Sequence, residues 1–498
     1  MFGQEKDISS MDNGLRNHWS MIVYVLLALV ALCFNWYYGG TQPFWGDEFV
    51  QIAVAKTIPD VLRECASGHD ITPPLFGIIF SLWYRIAPYG DRVLLLLPET
   101  FVSGSIFLIG IIGEEVRNRY VGIFSCFIAA TSVTMMQIGY ELRSYAFFLF
   151  FSSLAFWIYI RRFRKIPNIS FKVNFMFGLS LTLLVYSHYY AAFICAGYFV
   201  ADAILYWRKK TKITTFSSYI IVGILYLPWI VIFMINKADV SSWFSEKRAT
   251  FAEALQLIKY LTGGIDIFTS FFIVGSACIL ISALWTKKQK QADEETNYFS
   301  VFSVCIVWGV VLLLYSYGAF IDPRYNIFKS RIMLDRYYCG LLPFTILVCA
   351  LSLNWLLEKR DMLKIKFVYA ILAVPLIVNV YQVIPNLPKD SSRDAANWFL
   401  SQSDISSPDT LIVADNTLAM QGFREYYIEK GEMGRQVNMV SRWELPLEML
   451  QKAQTVYLYG VWSAPAPEMV TAVNAEFMQF YELKEARDDL RIKVYIRK

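Results

Sequence analysis

The strongest constraint on this chain is where its charges are missing. Stretches of about 16–22 residues with hardly a charged side chain recur from residue 20 to residue 384. As helices, such stretches are long enough to cross a hydrocarbon layer about 30 Å thick. Inside that layer every backbone N–H and C=O must be bonded within the protein, which leaves helix as the state for an uninterrupted apolar run. Only 17% of the 498 residues are charged, against about 25% for an average soluble domain. The net charge of +5 is spread thinly. Together these features exclude a soluble enzyme, a disordered chain and a nucleic-acid binder.

Eleven spans are predicted, at about 20–38, 92–113, 120–138, 145–160, 173–187, 188–207, 217–235, 267–285, 298–317, 337–356 and 365–384. The stretch 72–88 begins with Pro73-Pro74 and contains Arg85, so it reads as an interfacial helix. Basic residues cluster in alternate loops: Arg117 and Arg119, then Arg161 to Lys165, Arg208 to Lys210, Lys287 to Lys290, and Lys359-Arg360. All five fall on one side if the N-terminus is cytoplasmic. An odd number of spans then places the C-terminus outside. The first span follows a weakly charged leader, in which Glu5, Asp7 and Asp12 offset Lys6 and Arg16, so it is expected to be retained.

The fold class expected is a polytopic all-α membrane domain followed by a small extracytoplasmic α/β domain. The divisions are a cytoplasmic N-terminus (1–19), a membrane domain (20–384) with a long outer loop at 39–91, and the α/β domain (385–498). In the tail, short β-type runs (Thr410–Ala414, Thr455–Tyr459, Lys493–Ile496) alternate with helical stretches (Asp394–Ser401, Leu445–Ala453, Pro467–Phe477). The tail has no cysteine, and the eight cysteines form no disulfide framework.

Ionisable residues inside spans are costly and mark function. Here the spans are nearly clean. Glu99 lies toward the outer end of its span and Asp202 toward the inner end of its own. That distribution counts against a coupled transporter or a charged filter. The outer boundary is richer. It holds FWGDEF (Phe44–Phe49), GHDITPPLF (Gly68–Phe76), GYELRSYA (Gly139–Ala146), SHYY (Ser187–Tyr190) and DPRYNIFKSRIMLDRYY (Asp322–Tyr338). Asp47, Glu48, His69, Asp70, Glu141, Arg143, His188, Arg331, Asp335 and Arg336 therefore share one membrane face. A carboxylate beside an apolar wall, with arginines near it, suits activation of a nucleophile next to a bound phosphate.

Each piece also has a structural reading. Asp47-Glu48 fits the first turn of an interfacial helix equally well. His69 fits an ordinary loop histidine, and His188 fits a tight turn closed on a backbone group. Arg143, Arg331 and Arg336 fit interfacial anchors that reach the headgroups.

Taken in order, these segments resemble the polyprenyl-phosphate-dependent glycosyltransferases of the GT-C fold, in the branch of the protein O-mannosyltransferases and the lipid A aminoarabinose transferase. The resemblance covers about residues 20–390, and a periplasmic tail is typical of bacterial members. It rests on the acidic pair in FWGDEF, the PPL in HDITPPLF, the acidic-x-Arg-x-Tyr-Ala in ELRSYA, the SHYY turn and the Arg-Tyr in DRYY. It implies transfer of a sugar from a polyprenyl phosphate to an acceptor hydroxyl, with inversion, at the outer face of a bacterial inner membrane. The acceptor class is a glycan, a lipid or a protein.

By the same resemblance Asp47 is the base, with Glu48 its alternative, and Glu141 matches the second acidic position. Arg143, Arg331 and Arg336 match the donor-phosphate ligands. His69, Asp70, Tyr145, His188 and Tyr189 fall at substrate-binding positions. His69 departs from the commoner His-Pro-Pro form, being separated from Pro73 by three residues. Some relatives bind a divalent metal near this loop; His69, Asp70 and Glu48 have suitable chemistry but no metal-ligand spacing, so no cofactor and no required metal are expected. Neither a P-loop nor a GxGxxG occurs, as expected for a donor that is not a nucleotide. The competing class is a lipid or glycan flippase with an accessory outer domain, which the span count alone suggests.

Overall fold

The computed structural model describes residues 4–68, 72–87, 89–235, 248–285, 291–321, 332–357, 390–430, 436–461 and 477–498. The chain divides into two compact units. One joins Met1–Tyr37, Cys65–Phe76 and Leu96–Asn386; the other joins Tyr38–Glu64, Gly77–Leu95 and Leu387–Lys498. Most of the long loop at 39–91 thus groups with the C-terminal residues.

The first unit is helical. Its main elements are α1 (Gln4–Gly39), α5 (Asp91–Val116), α6 (Arg119–Ala130), α7 (Val133–Gly139), α8 (Tyr145–Phe163), α9 (Phe171–Ser187), α10 (Ala191–Trp207), α11 (Ser217–Ile235), α12 (Phe251–Leu261), α13 (Asp266–Trp285), α14 (Gln291–Phe320) and α15 (Leu342–Leu357). Among the described residues seven helices are long and apolar enough to cross a membrane, and α6 with α7 makes an eighth bent by 58°. The chain is a multi-pass membrane protein. Of the eleven spans expected, the two at 173–187 and 188–207 correspond to helices of 17 residues each. The one at 365–384 lies outside the described residues. The stretch 72–88 contains α4 (Leu75–Ile86), 12 residues and too short for a crossing.

Burial orders the bundle. The Asp335–Trp355 segment is almost wholly buried, whereas Ile213–Ile232 is mostly exposed, as a helix facing lipid would be. Close approach needs small residues. A Cβ on Gly122 would stand 2.7 Å from the Gly110 carbonyl oxygen, so this glycine lets α5 and α6 touch along their backbones. At the basic end, Arg162 is fully buried and bonds Asn174 Oδ1 at 2.9 Å, the Thr215 carbonyl at 2.9 Å and the Asp202 carboxylate at 3.0 Å. That one guanidinium fastens α8 to α9, α10 and the turn before α11.

The second unit contains a five-stranded sheet in the order β2-β1-β3-β5-β4. Strands β1 (Thr410–Ala414), β2 (Met439–Ser441) and β3 (Thr455–Tyr459) are parallel, while β4 (Tyr481–Arg487) and β5 (Ile492–Arg497) run antiparallel. The three strands expected from sequence are β1, β3 and β5. Helices stand at Ser392–Ser401 and Leu447–Lys452, where helical stretches were expected; of Pro467–Phe477 all but the last residue lies outside the described residues. Leu411, Val413, Val456, Leu458 and Tyr495 form the core of the sheet with Phe477 and Tyr481.

Two helices of the loop also belong to this unit. Helix α2 (Gly46–Val54) packs on α17 (Thr417–Phe423), where Phe49 meets Phe423 edge-on at 5.5 Å. The Phe44 N–H donates to the Tyr427 hydroxyl at 3.1 Å, and that hydroxyl donates to Asp91 at 2.7 Å. Burial, reinforced by the Asp91 carboxylate, holds the Tyr427 hydroxyl well above its ordinary pKa, so it remains a donor. Arg393 pairs with the same carboxylate.

Candidate functional site

The helical unit gathers its ionisable residues where α7 gives way to α8. Helix α7 stops at Tyr140, and the chain turns sharply: the Arg143 N–H donates to the Glu141 carbonyl at 2.8 Å. The turn keeps Glu141 half-buried and Arg143 buried just before Tyr145 opens α8. A second segment, 332–341, meets it. Tyr190 and Tyr338 both donate to the Ile332 carbonyl, at 3.0 and 3.1 Å, and the Asp335–Leu341 turn leads directly into α15. Ser152 of α8 donates to the Gly340 carbonyl at 2.6 Å, and Cys339 donates to the Tyr145 carbonyl at 3.5 Å. These bonds fix Arg336 against α8, where its guanidinium lies over the Tyr145 ring at 5.6 Å.

His188 sits in the turn between α9 and α10, buried among rings. Phe148 stacks on it at 4.9 Å, and Tyr337, Tyr190 and Tyr145 stand at 5.3, 5.6 and 5.8 Å. Its Nδ1 accepts the Tyr190 N–H at 3.2 Å. An accepting Nδ1 carries no proton, so the ring is neutral and its proton is on Nε2. Both Arg143 and Arg336 act electrostatically on this ring. The Tyr145 hydroxyl feels Arg336, Arg143, Tyr337 and Glu141. Tyr260 of α12 feels Glu141 and Asp335.

The structure therefore brings Glu141, Arg143, Tyr145, His188 and Arg336 into one cluster. Two arginines, a neutral imidazole donor and tyrosine hydroxyls make an arrangement suited to a phosphate, with Glu141 and Asp335 on its border. Tyr189 lies in the same turn as His188, half-buried and beside Tyr226. The sequence places Asp335 at this face without a role, and Tyr260 and Tyr337 join the cluster only in the structure. Tyr337 stands inside the DRYY motif, whereas Tyr260 lies in a segment with no motif, more than a hundred residues from Glu141.

Asp47 and Glu48 belong to the other unit, in the first turn of α2. Glu48 is buried, and its carboxylate accepts the Trp45 N–H at 3.0 Å, the return half of a capping box. Asp47 is half-buried on the same turn. His69, Asp70 and Arg331 lie outside the described residues. Among the described residues no three His, Cys, Asp or Glu side chains gather as metal ligands.

No protein-family model matches the sequence, and no curated protein matches it. Solved structures match over most of the chain. ArnT from Cupriavidus metallidurans bound to undecaprenyl phosphate superposes with TM-score 0.53 at 10% identity, over 95% of this chain and 97% of that one. The Archaeoglobus fulgidus oligosaccharyltransferase in its apo form gives TM-score 0.52 at 11% identity, over 89% and 70%. The same archaeal enzyme, AglB, in complex with an inhibitory peptide and a dolichol-phosphate, gives 0.52 at 10% over the same shares. These are GT-C glycosyltransferases, and the chain has their fold.

Proposed function

From the GT-C fold as premise, we propose that the protein is a membrane glycosyltransferase that moves a sugar from a polyprenyl phosphate to an acceptor hydroxyl at the extracytoplasmic face. The observation that carries this reading is the pairing of Arg143 and Arg336 around a neutral His188. The bound lipid phosphates named for ArnT and AglB support the same class of donor.

The charge balance explains why two guanidinium groups suit the task. The donor is a phosphodiester with one negative charge. Breaking the bond between the anomeric carbon and the phosphate oxygen sends the electron pair to the leaving polyprenyl phosphate, which then carries two. Arg143 and Arg336 therefore bind the departing group more strongly than the donor, and that difference is what accelerates a reaction. The His188 Nε2–H adds a neutral donor that stays protonated without competing for the acceptor's proton.

Asp47 takes that proton as the acceptor oxygen bonds the anomeric carbon from the opposite side, with inversion. This role rests on the resemblance of FWGDEF. Glu48, tied to the Trp45 N–H, is its positioning neighbour. Glu141 orients Arg143 or the acceptor, Tyr145 and Tyr189 offer rings and hydroxyls to the substrates, and Arg331, His69 and Asp70 complete the set expected from sequence. One AglB structure is a complex with Zn and sulfate.

The test begins with mass spectrometry of lipid-linked sugars in cells with and without the gene, which supplies the donor. With that donor, Arg143→Gln and Arg336→Gln should each lower kcat/KM by about 100-fold, as loss of one charged transition-state contact does. Unchanged transfer by both variants would overturn the reading.

A further inference from the structure

Among the described residues, the first turn of α8 carries polar groups that the fold leaves without partners. Arg161 and Arg162 occupy the last turn of this helix, so its N-terminus points to the face opposite the basic loops. The Phe148 N–H donates to the Ser144 carbonyl at 3.0 Å. The N–H groups of Tyr145, Ala146 and Phe147 come before that bond, so no carbonyl of the helix accepts them. All three residues are 2% exposed or less.

Ser144 stands where a cap would stand, and it does not cap. A capping serine has extended backbone, which carries its oxygen over the first turn. Ser144 has φ −65° and ψ −8°, and it makes no capping bond. It is buried, and its hydroxyl has no hydrogen-bond partner. A buried hydroxyl left unbonded is costly, and buried N–H groups are seldom orphaned. The hydroxyl and the N–H groups share one turn, and a χ1 rotation moves the hydroxyl across it. Unmet donors at a helix N-terminus are what an anion completes.

The surroundings identify the anion. Arg143 immediately precedes Ser144, and the Arg336 guanidinium lies over the ring of Tyr145, the first residue of the helix. The unmet donors are the serine hydroxyl and the backbone, whichever groups the arginines also hold. A phosphate has enough acceptor oxygens to meet hydroxyl, N–H and guanidinium groups at once.

We infer that the first turn of α8 cradles the donor's phosphate: the Ser144 hydroxyl and the N–H groups of Tyr145, Ala146 and Phe147 donate to its oxygens, beside Arg143 and Arg336. The inference rests on the sugar-transfer reading and adds Ser144 and the helix backbone to it. When the anomeric bond breaks, its electron pair stays on the bridging oxygen, which becomes a further terminal acceptor. The cradle therefore holds the leaving polyprenyl phosphate more strongly than the donor.

The test measures binding of undecaprenyl phosphate to the full chain in detergent, with undecaprenol as the phosphate-free control. Wild-type protein should prefer the phosphate. Ser144→Ala should weaken phosphate binding about tenfold, as loss of one hydrogen bond to a charged group does, and leave undecaprenol unchanged. Its melting temperature should hold or rise, because the hydroxyl removed has no partner. Ser144→Asp places a carboxylate in the cradle, which suits a helix N-terminus, and should bring phosphate binding down to the undecaprenol level. Ser144→Ala, which removes a single heavy atom, decides the matter if the aspartate variant does not fold. Phosphatidic acid and inorganic phosphate carry the same chemistry, and neither in excess should displace undecaprenyl phosphate. A wild-type protein with no preference for the phosphate would overturn the donor reading and the cradle together. A preference kept in both folded variants would overturn the cradle alone, and displacement by phosphatidic acid or inorganic phosphate would overturn its assignment to the donor.

Discussion

The Arg162–Asp202 pair decides between an enzyme whose spans are scaffold and a transporter whose spans carry charge. Asp202 is fully buried and accepts from Arg162 at 3.0 Å, Tyr219 at 2.7 Å and Tyr159 at 3.3 Å. Replacing it by leucine leaves Arg162 its bonds to Asn174 and Thr215 but strips the countercharge. Tyr159 keeps Tyr298 at 2.8 Å, whereas Tyr219 loses the carboxylate. An uncompensated buried charge costs about 3–5 kcal/mol, and the stranded hydroxyl moves the expectation to the upper half of that range. At about 2.1 cal/mol/K per residue, 498 residues give roughly 1 kcal/mol per degree, so Asp202→Leu should lower the melting temperature by about 4 °C.

Arg162→Met should cost a similar amount. The double variant should cost less than either single one, because it removes both charges while Asn174 keeps its bond to the Thr214 carbonyl at 3.1 Å. The assay is thermal unfolding in detergent by intrinsic fluorescence, with sugar transfer measured on the folded fraction. Strictly additive losses would refute the ion-pair account. A stable Asp202→Leu protein that had lost its cellular activity would refute the scaffold role itself and favour a transporter.

Two further predictions address the loop unit. Asp47→Asn should abolish sugar transfer with the melting temperature unchanged, whereas Glu48→Ala should lower stability by about 1 kcal/mol through loss of the Trp45 cap; near-normal transfer by Asp47→Asn would remove that residue from the mechanism. Gly422→Val places its Cβ against the Phe49 carbonyl group and should destabilise the packing of α17 on α2 by about 1–3 kcal/mol, read as faster proteolysis of the C-terminal unit.

The sequence was most informative where physics leaves one solution. Charge-free runs had to be helices, and those among the described residues are. Strands β1 and β3, buried nearly along their whole length, announced themselves as apolar runs. Strand β4 did not: it is a mostly exposed edge strand carrying Glu482, Lys484 and Glu485, so no apolar pattern was present to read. The bend between α6 and α7 was hidden for a similar reason. Ser132 caps α7 by accepting the Met135 N–H at 3.3 Å, and one serine in an apolar run is a weak sign of a break.

The candidate site divides along the same line. Arg143, Tyr145 and Arg336 were visible because each lies in a short segment with its own charge pattern. Their convergence was not, since it depends on Tyr190 and Tyr338 sharing the Ile332 carbonyl across nearly 150 residues of chain. The acidic pair shows what spacing alone leaves open. Asp47 and Glu48 read equally as a cap or as a catalytic pair, and burial separates them: Glu48 is turned back on the Trp45 N–H, while Asp47 stays half-buried in the first helical turn. A capping glutamate fixes the helix start, and with it the direction in which the preceding aspartate leaves the backbone. In the proposed mechanism cap and base are then one device, in which the structural role of the second residue positions the first.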